Sequence, residues 1–232
     1  MSRRPLLALA GVALAALALS GCATDTADPA GSAPDASSGF SAGAAWLAGG
    51  SLIAVVTEGS SAPTCAPFVD DVVLDEGVLV VALTENPDAG DGCDGDAVKR
   101  ATVVGIPEGL DPADGVEVQV SLGDEFAEAT LAPYAGGAVD EYTPSAGWVD
   151  DGVVALMTWG SSSCAPVVES AKAETPQSVV VTFVEQSADQ PCTMDMAPRV
   201  AVTTVAGEVS RDATLTVAEG TGLVPAMSIP IY

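Results

Sequence analysis

From residue 46 onward the chain is a succession of short apolar runs broken by turn residues. Val116-Glu117-Val118-Gln119-Val120 alternates strictly between apolar and polar positions, the period of a strand with one buried face. Val78-Leu79-Val80-Val81-Ala82-Leu83 is apolar throughout, which predicts a central strand covered on both faces. Clusters such as Pro107-Glu108-Gly109 and Asp111-Pro112-Ala113-Asp114-Gly115 punctuate the runs, and helix-period stretches are scarce. The pattern predicts strands over Ser51–Thr57, Phe68–Leu74, Val78–Thr84, Val98–Ile106, Val116–Leu122 and Phe126–Ala132. It predicts a second set over Val153–Thr158, Val167–Ala173, Ser178–Glu185, Ala197–Val205, Ala213–Val217 and near Ala226–Ile231.

The two sets are an internal duplication. Cys65-Ala66-Pro67 recurs as Cys164-Ala165-Pro166, and Gly59-Ser60-Ser61 as Gly160-Ser161-Ser162. Cys93, Asp96 and Arg100 are spaced as Cys192, Asp195 and Arg199. Asp70 and Glu169 share an offset, Trp46 and Trp148 open the copies, and Gly123 and Pro133 match Gly220 and Pro230 after a two-residue deletion. The predicted fold is all-β: two tandem repeats of an antiparallel β-sandwich or small barrel, each with five or six strands. The repeats span residues 46–135 and 146–232, with Ala135–Ala146 as the hinge. Each is small for a self-sufficient core. The equal spacing pairs Cys65 with Cys93 and Cys164 with Cys192, one disulfide per copy, out of three possible connectivities. Four thiolates on a metal would need close pairs such as C-x-x-C, and the chain has none.

The start of the chain is different. Arg3-Arg4, an apolar run from Leu6 to Leu19, then Ser20-Gly21 have the layout of a secretory signal over residues 1–21. The run is short for a helix crossing a bilayer. Leu19-Ser20-Gly21-Cys22 resembles the lipobox of bacterial lipoproteins, which implies a diacylglyceryl group on the Cys22 thiol and cleavage that makes Cys22 the new N-terminus. Two acyl chains give stable anchoring where one gives only marginal binding. Cys22 is also the one cysteine left unpaired by the duplication. Residues 23–45, nearly all Ala, Asp, Ser, Thr, Pro and Gly, read as a disordered tether reaching roughly 25 Å from the membrane. The expected location is the extracytoplasmic face of the cell membrane.

Charge then narrows the partners. The chain carries 32 acids against 7 basic residues, a net charge of −25, and no histidine. A nucleic-acid partner is excluded for want of a basic footprint. An anionic membrane surface repels such a chain, leaving the lipid as the attachment. Ser-His-Asp and Cys-His catalysis are excluded. No cofactor motif is read.

The remaining candidates each have two readings. Asp96/Arg100 and Asp195/Arg199 are ion pairs or backbone-capping arginines beside the disulfides, or else anion clamps. Asp88, Asp91, Asp94 and Asp96 form a solvated acidic loop, or else a calcium loop, though without EF-hand spacing; copy two keeps Asp189 and Asp195. Ser161-Ser162-Ser163 is a turn entering the disulfide, since no S-x-x-K motif pairs a serine with Lys172. The acid pairs Asp70/Asp71 and Asp150/Asp151 are chance neighbours on strands, or else glycosidase carboxylates. Trp46 and Trp148 suit core positions, whereas Trp159 is the better candidate for exposed, carbohydrate-stacking contact.

Trp159–Pro166 and Cys192–Arg199 resemble the W-G-S-S-S-C-x-P and C-T-x-D-x-x-P-R motifs of a group of uncharacterised actinobacterial lipoproteins. Copy one is a degenerate version, lacking the tryptophan and the second proline. The resemblance covers most of the mature chain and implies this architecture without an activity. The expectation is a non-catalytic, membrane-anchored module binding a protein or envelope component. The alternatives are a carboxylate-based cell-wall or glycoside hydrolase with its site between the copies, and a structural spacer.

Overall fold

The computed structural model describes residues 39–187, 189–218 and 227–232. Cys22, the signal segment and most of the tether lie outside the described residues. The fold is all-β. Copy one comprises β1 (Ala42–Leu47), β2 (Leu52–Gly59), β3 (Phe68–Asp75), β4 (Val78–Thr84), β5 (Val98–Gly105), β6 (Val116–Leu122) and β7 (Glu125–Leu131). Copy two repeats them as β8 (Ser145–Asp150), β9 (Val153–Gly160), β10 (Val168–Thr175), β11 (Ser178–Phe183), β12 (Ala197–Thr204), β13 (Thr214–Val217) and β14 (Met227–Pro230).

Each copy packs a three-stranded sheet on a four-stranded one. Copy one has the orders β1-β2-β5 and β3-β4-β6-β7; copy two has β8-β9-β12 and β10-β11-β13-β14. The pairing is not wholly antiparallel. β4 runs parallel to β6, and β11 to β13, because the intervening β5 or β12 belongs to the opposite sheet. The chain crosses over and returns in the same direction. In copy two, bridges Ala146↔Ile231 and Lys172↔Ala206 link the sheets at both edges and draw it toward a closed barrel. Disulfides Cys65–Cys93 and Cys164–Cys192 lie one in each half, as the spacing predicts.

Three cores result. Ile53, Val55, Leu79, Val81 and Val118 fill copy one, and Val154, Leu156, Val179, Val181 and Leu215 fill copy two. The third joins the copies: Ala45, Leu47, Ala54 and Val56 pack on Ala155 and Met157. The strands covered on both faces are therefore β1, β2, β8 and β9. In β4 one face is buried and the other only half-buried, contrary to the expectation from its apolar run.

β1 and β8 were not among the strands expected from the sequence, and they start earlier than the boundaries read there, β1 four residues inside the tether and β8 two residues inside the hinge. Alanine and glycine are poor strand formers. Here they serve close approach. A Cβ on Gly43 would lie 2.5 Å from Val149 Cγ1, and one on Gly147 would lie 2.4 Å from the Trp46 carbonyl oxygen. The small residues of one copy's first strand thus receive the other's. A further correction concerns the ends of the copies. Ala129 pairs with Val118, and Ile229 with the equivalent Leu215, so Pro230 occupies the position of Thr130 and not of Pro133. Gly220 lies outside the described residues.

Candidate functional site

The repeated arginines are the first sites to place. Arg199 is buried, and its Nη1 and Nη2 donate to the carbonyls of Cys164 (3.1 Å) and Trp159 (3.0 Å). Arg100 donates likewise to the carbonyls of Ala62 (2.9 Å) and Cys65 (2.6 Å). Each guanidinium lies against the glycine of its Gly-Ser-Ser motif. A Cβ on Gly160 would be 2.8 Å from Arg199 Cζ, and one on Gly59 would be 3.1 Å from Arg100 Nη2. Both arginines are backbone caps for the disulfide loops. Burial lowers the pKa of each, while the charges of Asp94 and Asp195 favour the cation.

The acid matched to Asp195 is therefore Asp94 and not Asp96. Asp94 accepts from the Ser61 N–H (2.8 Å) and hydroxyl (2.6 Å), and its own N–H donates to Ser60 Oγ (3.0 Å). Asp195 accepts from the Ser162 N–H (3.0 Å) and the Thr193 hydroxyl. Asp96 is exposed, and its N–H reaches Asp94. These bonds favour the carboxylate form. The serine hydroxyl and N–H contacts hold Asp94 at about 2, and those of Thr193 and Ser162 hold Asp195 lower still. Because both folded pKa values lie below the ordinary value near 4, this contribution is complete above about pH 4 and is lost as pH falls toward 2. An Asp94→Asn, Asp195→Asn variant should show a flatter decline in stability between pH 4 and 2 than the native chain, measured by urea unfolding across that range.

The serine run belongs to the same loop. Ser161 Oγ lies 2.8 Å from Thr193 Oγ1, and the Thr193 N–H donates to Ser163 Oγ (3.0 Å). Among the described residues, no three His, Cys, Asp or Glu side chains gather as a metal site. Asp88 and Asp91 are exposed around the turn before Cys93. Asp70 and Glu169 sit at matching β-bulges on the edge strands β3 and β10, so the shared offset marks a repeated irregularity of the backbone.

Of the tryptophans, it is Trp159 that departs from expectation. Trp159 is half-buried against the inter-copy core. Its indole N–H donates to the Thr143 carbonyl (3.2 Å), and Tyr142 packs edge-on at 5.2 Å between ring centroids. Trp46 and Trp148 are buried, as core residues should be. Their indoles donate to the carbonyls of Ala132 (2.7 Å) and Arg211 (3.0 Å).

Those two tryptophans also form the back wall of a groove of about 760 Å³ between the copies. The end of β7 and the following Pro133-Tyr134-Ala135 line one side. The end of β8, Arg211-Asp212-Ala213 and Pro230-Ile231-Tyr232 line the other. Tyr134 and Tyr232 meet edge to face at 5.1 Å. Tyr134 donates to the Gly137 carbonyl (3.1 Å); burial and the neighbouring Tyr232 push its phenol upward, keeping it a donor at neutral pH. Tyr232 is pinned by its backbone, which exchanges hydrogen bonds with Ala146 and Trp148. Arg211 lies over Trp148, 5.4 Å from the ring centroid, and pairs with Asp151. Asp150 and Asp212 complete the polar wall.

Antiparallel packing of β1 on β8 sets Ala48 beside Ser145 and Gly43 beside Val149. Arg100 and Arg199 therefore lie at opposite ends of the paired sheets and share no groove. None of the residues read as possible binding positions, Arg100, Arg199, Asp96, Asp195 and Trp159, lines the groove; it gathers Trp46 and Trp148, read as core, and Asp150, read as a chance neighbour, with Tyr134, Tyr232, Arg211 and Asp212, which no spacing marked. Among the described residues no helix is long and apolar enough to cross a membrane. Comparison with known protein families, curated proteins and solved structures returns no match.

Proposed function

We propose that the protein is an extracytoplasmic, lipid-anchored binding module whose working surface is the inter-copy groove. The carrying observation is that both copies together build the groove, and that it collects two partly exposed tyrosines, an exposed arginine and two carboxylates. Clefts between packed units with a few convergent polar groups are where ligands bind. The arginines at the disulfide ends have both terminal nitrogens occupied by carbonyls, which leaves them a structural role.

Two measurements test the reading. Cys22→Ala should abolish labelling of the protein by a fatty-acid analogue and release it from the membrane fraction; retained label would refute the anchor. Ala135→Trp, at an exposed position of the groove wall, should abolish retention of the purified chain on isolated cell envelopes while leaving its thermal midpoint unchanged. Equal retention would refute the groove. Because Asp150 and Asp212 share the groove, hydrolysis is the second reading. It requires release of soluble fragments from envelopes, lost in both Asp150→Asn and Asp212→Asn.

A further inference from the structure

Resting on that reading, we infer that the groove takes a neutral glycan, one or a few sugar rings long. Its size lies within the range of about 300–1,000 Å³ common to small-ligand sites. Tyr232 is 39% exposed, so part of its ring is free to receive an apolar face. A tyrosine offers an apolar body with a polar tip, as does the face of a sugar ring with hydroxyls at its edge. Around this platform stand donors and acceptors together: the Arg211 guanidinium and the Tyr232 hydroxyl donate, and Asp150 and Asp212 accept. A hydroxyl is itself one donor and two acceptors, so it matches such a mixed wall.

Other ligand classes match less well. The chain carries 32 acids, and Arg211 is already paired with Asp151, so a multiply charged anion meets repulsion with no free cation to answer it. An acyl chain would strip water from Asp150, Asp212 and Arg211 without replacing their hydrogen bonds. A cationic peptide would use the carboxylates but leave the guanidinium opposed.

The test is calorimetric titration of the purified full chain, held in a detergent without a sugar headgroup, with cellotetraose, chitotetraose and mannotetraose. At least one should bind saturably. Tyr232→Ala should weaken that binding at least tenfold and Ala135→Trp should abolish it. Phe126→Ala, an exposed aromatic on β7 outside the groove, should leave it unchanged. Thermal melts confirm that each variant is folded. Absence of binding by all three sugars overturns the inference, as does binding that survives both groove variants. If envelope retention still depends on Ala135 while no sugar binds and a lysine-rich peptide does, the ligand class is wrong and the groove stands. If retention is indifferent to Ala135→Trp, the groove reading falls as well.

Discussion

Alanine in place of Met157 is expected to destabilise the protein by about 2–5 kcal/mol, the cost of emptying a well-packed site. Met157 is fully buried on β9. Its neighbours Leu156 and Val154 face the core of copy two, whereas Met157 faces the other way, onto Ala45, Leu47, Ala54 and Val56 of copy one. Were the copies independent beads, this would be an outer surface and the change would stay within about 0.5 kcal/mol. The interface cannot easily collapse around the lost side chain, because strand backbones already touch at Gly147 and Trp46. Urea unfolding should show a lower midpoint with an unchanged m-value. A shift below about 0.5 kcal/mol would mean that the third core does not hold the copies together.

Removing one disulfide should cost about as much. Cys164→Ser with Cys192→Ser opens a loop of separation 28, worth ~3.5 kcal/mol in the chain-entropy model. Arg199 on the Cys164 carbonyl and Thr193 on Ser163 would still hold the folded loop, so the loss acts mainly through the unfolded chain. At 2–4 °C per kcal/mol the thermal midpoint should fall by about 7–14 °C. Since the copies share a core, calorimetry should show one transition moving as a whole. A second transition, with copy one melting at its original temperature, would contradict the shared core.

The strands of both copies were legible because valine-rich alternation and equal cysteine spacing repeat the same instruction twice. β4 and β6 keep the predicted boundaries of Val78–Thr84 and Val116–Leu122. β1 and β8 were not legible, for the feature that places them, small residues at a close backbone contact, is the one that erases a strand's signature. Counting from the second cysteine of each pair gave the wrong partner for Asp195. The two loops differ in composition, and the equivalent acid follows Cys93 by one residue but Cys192 by three. The capping arginines were among the readings that residue type allowed, and the carbonyls around them decided it. The groove could not be read from the chain. Its walls come from five separated segments, and Tyr134, Tyr232 and Arg211 carry no repeat spacing.

The most direct test of the groove as the working surface is to map where envelope material touches the protein. Backbone amide shifts of the isotopically labelled full chain would be followed as solubilised cell-envelope glycan is added. Shifts are expected at Tyr134, Trp148, Arg211 and Tyr232, with none at Arg100, Arg199 or the exposed Met194. Shifts confined to the disulfide ends, or none at saturating glycan, would contradict the groove as the working surface.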